Sequence, residues 1–174
     1  AALFRFAAPM MLQVHAREVE VSNTEIGSGS FGHVYRAIWK PSGSCGIEVA
    51  AKVFAPAEAT TARREVCCMQ MLLGSPHVVS GAYVELMRDT QIVPTILMPL
   101  YYCALSDWIA CGREIQTRWL TQLGDALAYA HALGVAHLDL KPSNVLINRR
   151  KGEWEPVLAD WSLGHAIDEP LGRE

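Results

Sequence analysis

Apolar and polar residues alternate with a period of two through much of the first hundred positions, whereas beyond Leu105 the apolar positions recur every three or four residues. The short period belongs to strands with one face covered and the longer one to helices. Ile47–Phe54 is the cleanest case: Ile47, Val49, Ala51 and Val53 fall on one side, and Glu48, Ala50, Lys52 and Phe54 on the other. Residues 18–22 and 34–39 read as the two preceding strands, with a glycine-rich turn at 27–32 between them and a Ser/Pro/Gly turn at 41–46 after the second. Residues 61–73 carry Val66, Met69, Leu72 and Leu73 at helical spacing and end at Gly74 and Pro76. Residues 81–86 and 92–98 complete five expected strands, the last at an edge or bulge because Pro94 has no N–H for a ladder. Then come a short helix at 106–110 and a long one at 115–133, whose stripe is Leu120, Leu123, Leu127 and Ala130 and whose stop is Gly134. The runs 145–147 and 157–159 read as a hairpin. Its connection, 148–156, carries Arg149, Arg150 and Lys151, read as a solvated loop with phosphate or peptide binding as the alternative.

Strands followed by helices indicate an α+β class. With 174 residues, 51% of them hydrophobic and 19% charged, the chain can build one compact body with room for two lobes. A net charge of −3 gives no global attraction for nucleic acid or an anionic membrane, so neither is expected as a partner. The longest uncharged stretch, 66–84, is broken by Gly74, Pro76, His77 and Gly81 and does not read as a membrane span. Five cysteines without a C-x-x-C spacing argue against a disulfide framework and a zinc cluster, and point to a reducing compartment, cytoplasmic or nuclear.

Three groups of residues carry chemistry. Gly27-Ser28-Gly29-Ser30-Phe31-Gly32 lies between two expected strands, where backbone N–H groups freed of Cβ can approach phosphates; a plain hairpin turn is the alternative. Lys52 shares a strand face with the small Ala50, and Glu65 on the following helix can supply its counter-charge; an unrelated surface pair is the alternative. His137-Leu138-Asp139-Leu140-Lys141-Pro142-Ser143-Asn144, followed by Asp160, combines a carboxylate to accept a hydroxyl proton, a lysine to neutralise a phosphoryl group, and an amide and second carboxylate suited to Mg²⁺. His137 reads as a hydrogen-bonded structural residue of that loop.

Taken in order, these groups resemble the signature set of eukaryotic-type protein kinases over about residues 21–164, and the D-L-K-P-x-N wording resembles the Ser/Thr branch. The resemblance implies a bilobal fold: an N-terminal extension at 1–20, an antiparallel five-stranded N-lobe with one helix and the hinge at 21–101, and a partial, mainly helical C-lobe at 102–174. It implies that Gly27, Gly29 and Gly32 cover the phosphates of ATP, that Lys52 pairs with Glu65 and contacts the α- and β-phosphates, and that Asp139 is the catalytic base with Lys141 at the γ-phosphate. Asn144 and Asp160 would bind Mg²⁺. Val34, Ala50 and Leu146 would sandwich adenine, Met98 would be the gatekeeper, and Ile26 and the hinge residue Leu100 would complete the nucleotide-binding set. A protein substrate is the implied partner.

Several positions depart from the family pattern. Leu138 replaces the usual Arg, which implies activity independent of a phosphorylated activation loop. Asp160-Trp161-Ser162 replaces D-F-G, keeping the carboxylate and losing the glycine's freedom, so a less mobile loop is expected, with Trp161 packed near His137 and Met69. The chain ends ten residues after Gly164, before any counterpart of the activation segment and A-P-E motif. The expectation is therefore a C-terminally truncated catalytic domain whose uncovered C-lobe face invites association, with a regulatory module lacking transferase activity as the rival reading.

Overall fold

The computed structural model describes residues 15–29, 31–41, 45–88 and 90–166. Most of the expected N-terminal extension, Ser30 of the glycine run and the last eight positions lie outside them. Two compact units emerge, one reaching to Gln70 and resuming over Ser80–Leu100, the other comprising Met71–Val79 and the residues from Tyr101 onward.

The first unit is a five-stranded antiparallel sheet in the order β1-β2-β3-β5-β4, made of β1 (Val19–Gly29), β2 (Gly32–Trp39), β3 (Ile47–Phe54), β4 (Ala82–Arg88) and β5 (Gln91–Pro99), together with helix α1 (Ala59–Met71). Alternation decides its faces. Ala37, Trp39, Val49, Ala51, Val53, Val84, Leu86, Val93 and Leu97 form one buried cluster, while Ala50 and Lys52 point to the opposite side. In α1 the buried positions Ala62, Glu65, Val66 and Met69 repeat at three and four, the spacing of one helical face.

Two expectations are corrected here. The glycine run is mostly strand: Gly27 pairs with Val34 and Gly29 with Gly32, and irregularities between Val21 and Gly27 absorb the mismatch. Pro94 sits in β5 between two neighbours rather than on an edge strand. It is tolerated because the β3 ladder ends at Val53↔Thr95, so at Pro94 only β4 still pairs.

In the second unit, β6 (Cys103–Ala104) leads into α2 (Leu105–Ala110) and α3 (Thr117–Ala132), and β7 (Val135–Ala136) precedes the hairpin of β8 (Val145–Arg150) and β9 (Glu153–Leu158). A last short strand, β10 (His165–Ala166), pairs with β7. Gly134 follows α3 with φ +72, the left-handed conformation that ends a helix. Residues 71–79 join this unit because Val79 N–H donates to Leu158 O (2.8 Å), Leu158 N–H donates to His77 O (2.8 Å), and the Tyr129 ring covers Gly74.

The buried stripe of α3 also differs from expectation. Trp119, Ala126 and Ala130 are buried, whereas Leu120 is 67% exposed. The indole decides the rotation: Trp119 packs 5.5 Å from Trp108 and its Nε1–H donates to Trp154 O (3.0 Å), burying more area than Leu120 could. The expected loop at 148–156 is instead mostly strand, paired out to Arg150↔Glu153. Lys151 and Gly152, with φ +50 and +86, close the hairpin in two residues, the positive-φ pair that matches strand twist. Arg149 lies over the Trp154 ring at 5.4 Å, so part of the basic triplet is engaged in stacking.

Candidate active site

In the first unit, cross-strand pairing aligns Val34, Lys52 and Ile96, and next to them Arg36, Ala50 and Met98. Directly opposed residues share a face, so Val34, Ala50, Lys52 and Met98 stand together on the side away from the apolar cluster. Lys52 Nζ donates to Glu65 Oε2 at 2.7 Å, with side chains 7% and 1% exposed. A carboxylate at this spacing offsets part of the cost of burying the ammonium. Ile26 is exposed on β1, in the irregularity between the Glu25↔Tyr35 and Gly27↔Val34 pairs, and Leu100 follows the end of β5 half-buried.

The three glycines differ physically. A Cβ on Gly32 would lie 2.4 Å from Val53 O, so the β2–β3 approach itself excludes a side chain there. At Gly27 and Gly29 a Cβ would meet only ordinary contacts, at 3.9 and 4.0 Å. Strand packing therefore accounts for Gly32, and leaves Gly27 and Gly29 without a fold-based reason.

In the second unit the loop between β7 and β8 gathers Asp139, Lys141 and Asn144. Lys141 Nζ donates to Asp139 Oδ2 (2.7 Å), and Asn144 Nδ2 donates to the same oxygen and to Asp139 O (2.9 Å each). One carboxylate oxygen is thus engaged twice, while Oδ1 remains to accept a proton. The Lys141 hydrogen bond, helped by that of Asn144, holds the Asp139 carboxyl below its usual range, against desolvation and the nearby charge of Asp160.

His137 ties this loop to the end of β9. Its Nε2–H donates to Ala159 O (2.9 Å) and its Nδ1 accepts Asp139 N–H (3.3 Å), while Ala159 N–H donates to Asn144 O (2.9 Å). Both backbone groups of Ala159 are held, which fixes where Asp160 begins. Burial pushes the His137 pKa down despite the opposing hydrogen bond to Ala159 and the charges of Asp160 and Asp139, so the ring is a neutral tautomer. Trp161 is fully buried, 4.5 Å from the His137 ring, with its Nε1 lacking a partner among the described residues. Leu138 and Asp160 adopt positive φ (+62 and +59), a conformation costly for non-glycine residues and frequent at functional loops. Leu146, half-buried in β8, is held by pairing with Ala104 and Val157.

A family model described as the protein kinase domain matches residues 21–171. The chain belongs to the protein-kinase domain family. This kinase domain is 30% identical over 162 residues to the receptor tyrosine-protein kinase erbB-2 of Mesocricetus auratus, covering 87% of the chain and 12% of that protein. It is 30% identical over 163 residues to the cell division control protein 2 homolog C of Antirrhinum majus, covering 84% of the chain and 52% of that protein. Over 49 residues, 28% of the chain and 9% of the relative, it is 49% identical to the serine/threonine-protein kinase PkaA of Streptomyces coelicolor. The chain thus spans from about a tenth to about half the length of these relatives.

The donors in this kinase domain fit a hard divalent cation. Both Asn144 amide contacts go to Asp139 through Nδ2, leaving the carbonyl oxygen as its acceptor, and Asp160 adds a carboxylate from the adjoining strand end. Among the described residues no cluster of three His, Cys, Asp or Glu could hold a metal. Two oxygen ligands suit Mg²⁺, which is commonly held by one or two carboxylates together with substrate phosphates. One polar contact was not visible in the residue pattern: Ser162 Oγ donates to Asp160 Oδ1 at 2.8 Å. Only its position two residues beyond the carboxylate, in place of a glycine, pointed toward it.

Proposed function

We propose that the protein transfers the γ-phosphoryl group of ATP to Ser and Thr hydroxyls of protein substrates, using Mg²⁺. The observation that carries this is the Asp139 carboxylate, ionised and oriented by Lys141 and Asn144, beside a second carboxylate at Asp160. Asp139 Oδ1 takes the acceptor hydroxyl proton as that oxygen bonds to the γ-phosphorus, and the bond from phosphorus to the β,γ-bridging oxygen breaks to release ADP. Lys141, already in hydrogen-bond reach of Asp139, turns to the phosphoryl oxygens, and Lys52, held by Glu65, serves the α- and β-phosphates. Asp160 and Asn144 would hold Mg²⁺, which would supply positive charge to offset that of the phosphates. Gly27 and Gly29, which packing does not require, cover the phosphates, and Val34, Ala50, Met98 and Leu146 hold adenine.

The Ser/Thr choice is supported by the Asp139-Leu140-Lys141-Pro142-x-Asn144 pattern and the similarity to PkaA, while the names of other relatives include tyrosine kinases. Leu138, 60% exposed where an Arg is usual, supports activity that needs no phosphorylated loop. The five free cysteines support a cytoplasmic or nuclear setting.

Asp139→Asn should lower transfer to mixed peptide acceptors at least about a hundredfold while the ATP-induced rise in melting temperature persists. Wild-type turnover in that variant removes the assigned role. Phosphate appearing on tyrosine alone removes the Ser/Thr reading. The altered triplet Asp160-Trp161-Ser162 favours one second reading, a nucleotide-responsive binding module. Stabilisation by ATP with no transfer from the wild-type chain would select it.

A further inference from the structure

Ser162 stands two residues beyond the proposed metal carboxylate, is 3% exposed, and donates its hydroxyl to Asp160 Oδ1 at 2.8 Å. The segment between them has little freedom: Asp160 is held at φ +59, Trp161 is buried against His137, and Gly164 N–H closes a turn onto Trp161 O (2.9 Å). A buried hydroxyl bonded to a carboxylate oxygen is among the stronger hydrogen bonds, and it constrains the plane of the carboxylate. We propose that Ser162 is a positioning residue that pins Asp160 Oδ1, so that Asp160 offers a cation chiefly Oδ2, and that this favours Mg²⁺ over Ca²⁺.

The chemical reason lies in the coordination of the two ions. Mg²⁺ accepts single carboxylate oxygens in a tight octahedron at about 2.0–2.1 Å, whereas Ca²⁺ takes six to eight oxygens at about 2.3–2.6 Å and often grips both oxygens of one carboxylate. A carboxylate whose plane is fixed through Oδ1 can meet the first demand without rearranging. Gripping by both oxygens requires the plane to turn and the serine bond to break. Alanine at this position removes the hydrogen bond to Oδ1, and threonine keeps the hydroxyl.

This inference rests on Asp160 being a metal ligand, so the experiment tests the two separately. Mg²⁺ and Ca²⁺ are titrated in turn into the whole 174-residue chain in the presence of the β,γ-imido analogue of ATP, and apparent affinities are read from melting temperature. In Ser162→Ala the Mg²⁺ affinity is expected to fall about fivefold to tenfold, the scale of one charge-assisted hydrogen bond, while the Ca²⁺ affinity changes less than about twofold. Ser162→Thr should keep the Mg²⁺/Ca²⁺ ratio within about twofold of wild type. An unchanged ratio in Ser162→Ala, or equal losses for both ions, overturns the proposal. If Ser162→Ala does not fold, the threonine variant decides it, because a collapsed ratio with the hydroxyl retained overturns it equally. Asp160→Asn is the control for the underlying reading: metal binding unaffected by that change removes Asp160 from the metal site, whereas loss in Asp160→Asn with no change in Ser162→Ala removes only the role of Ser162.

Discussion

Replacing Glu65 with alanine leaves the Lys52 ammonium in a site that is 7% exposed without the carboxylate 2.7 Å away. Taking one partner from a buried ion pair costs about 3–5 kcal/mol, because the remaining charge has lost water on folding and loses the Glu65 carboxylate on mutation. Against a total of about 5–15 kcal/mol for a domain, this is a large fraction. A loss of about 4 kcal/mol is nearly a thousandfold in the folding equilibrium. With a urea dependence of about 2 kcal/mol per molar, the midpoint should fall by about 2 M. Urea titration followed by far-ultraviolet circular dichroism measures it. The charge argument also makes a comparative prediction: Lys52→Met combined with Glu65→Leu removes both ions and should be more stable than Glu65→Ala, since apolar replacement of a buried pair is often neutral or better. A midpoint for Glu65→Ala within about 0.3 M of wild type, or a double variant no more stable than the single one, would refute the reasoning.

Lys141→Ala removes the main influence holding the Asp139 carboxyl down, so the acid-side inflection of transfer activity should move to higher pH; an unmoved inflection disconnects Lys141 from that carboxyl. By linkage, the same lowered pKa contributes folding stability present above the ordinary 3.8 and lost as pH falls through the folded value, a component that Lys141→Ala should diminish in acid denaturation. Gly32→Ala should cost about 1–3 kcal/mol, because its Cβ would sit 2.4 Å from Val53 O, whereas Gly29→Ala should stay within about 0.5 kcal/mol; equal melting temperatures would contradict the packing assignment. Trp119→Ala should destabilise the second unit by about 3–5 kcal/mol in chemical denaturation, since it empties a fully buried site and leaves Trp154 O only the longer 3.3 Å hydrogen bond from Arg118.

The residue pattern alone determined the elements and most of the candidate chemistry. Period-two alternation located β3 to the residue, because Glu48 and Lys52 interrupt the apolar run on one face even though both faces are buried from Val49 to Phe54, and Gly134 marked the end of α3 because few other residues adopt its backbone conformation. Asp139, Lys141 and Asn144 were legible as a group because the contacts joining them span at most five positions. Tertiary structure decided what depends on competition between distant surfaces. Trp119 won the interior over Leu120 through Trp108 and Trp154, partners 11 and 35 residues away in the chain. Gly32 proved to be demanded by a carbonyl on the neighbouring strand, and Arg149 was drawn into a strand by the ring it covers. The hydroxyl of Ser162 acquired its aim only because burial of Trp161 and the left-handed turn at Asp160 brought it round to the carboxylate. Periodicity records which side of an element is covered, whereas the identity of the covering atom is set by packing that no local window contains.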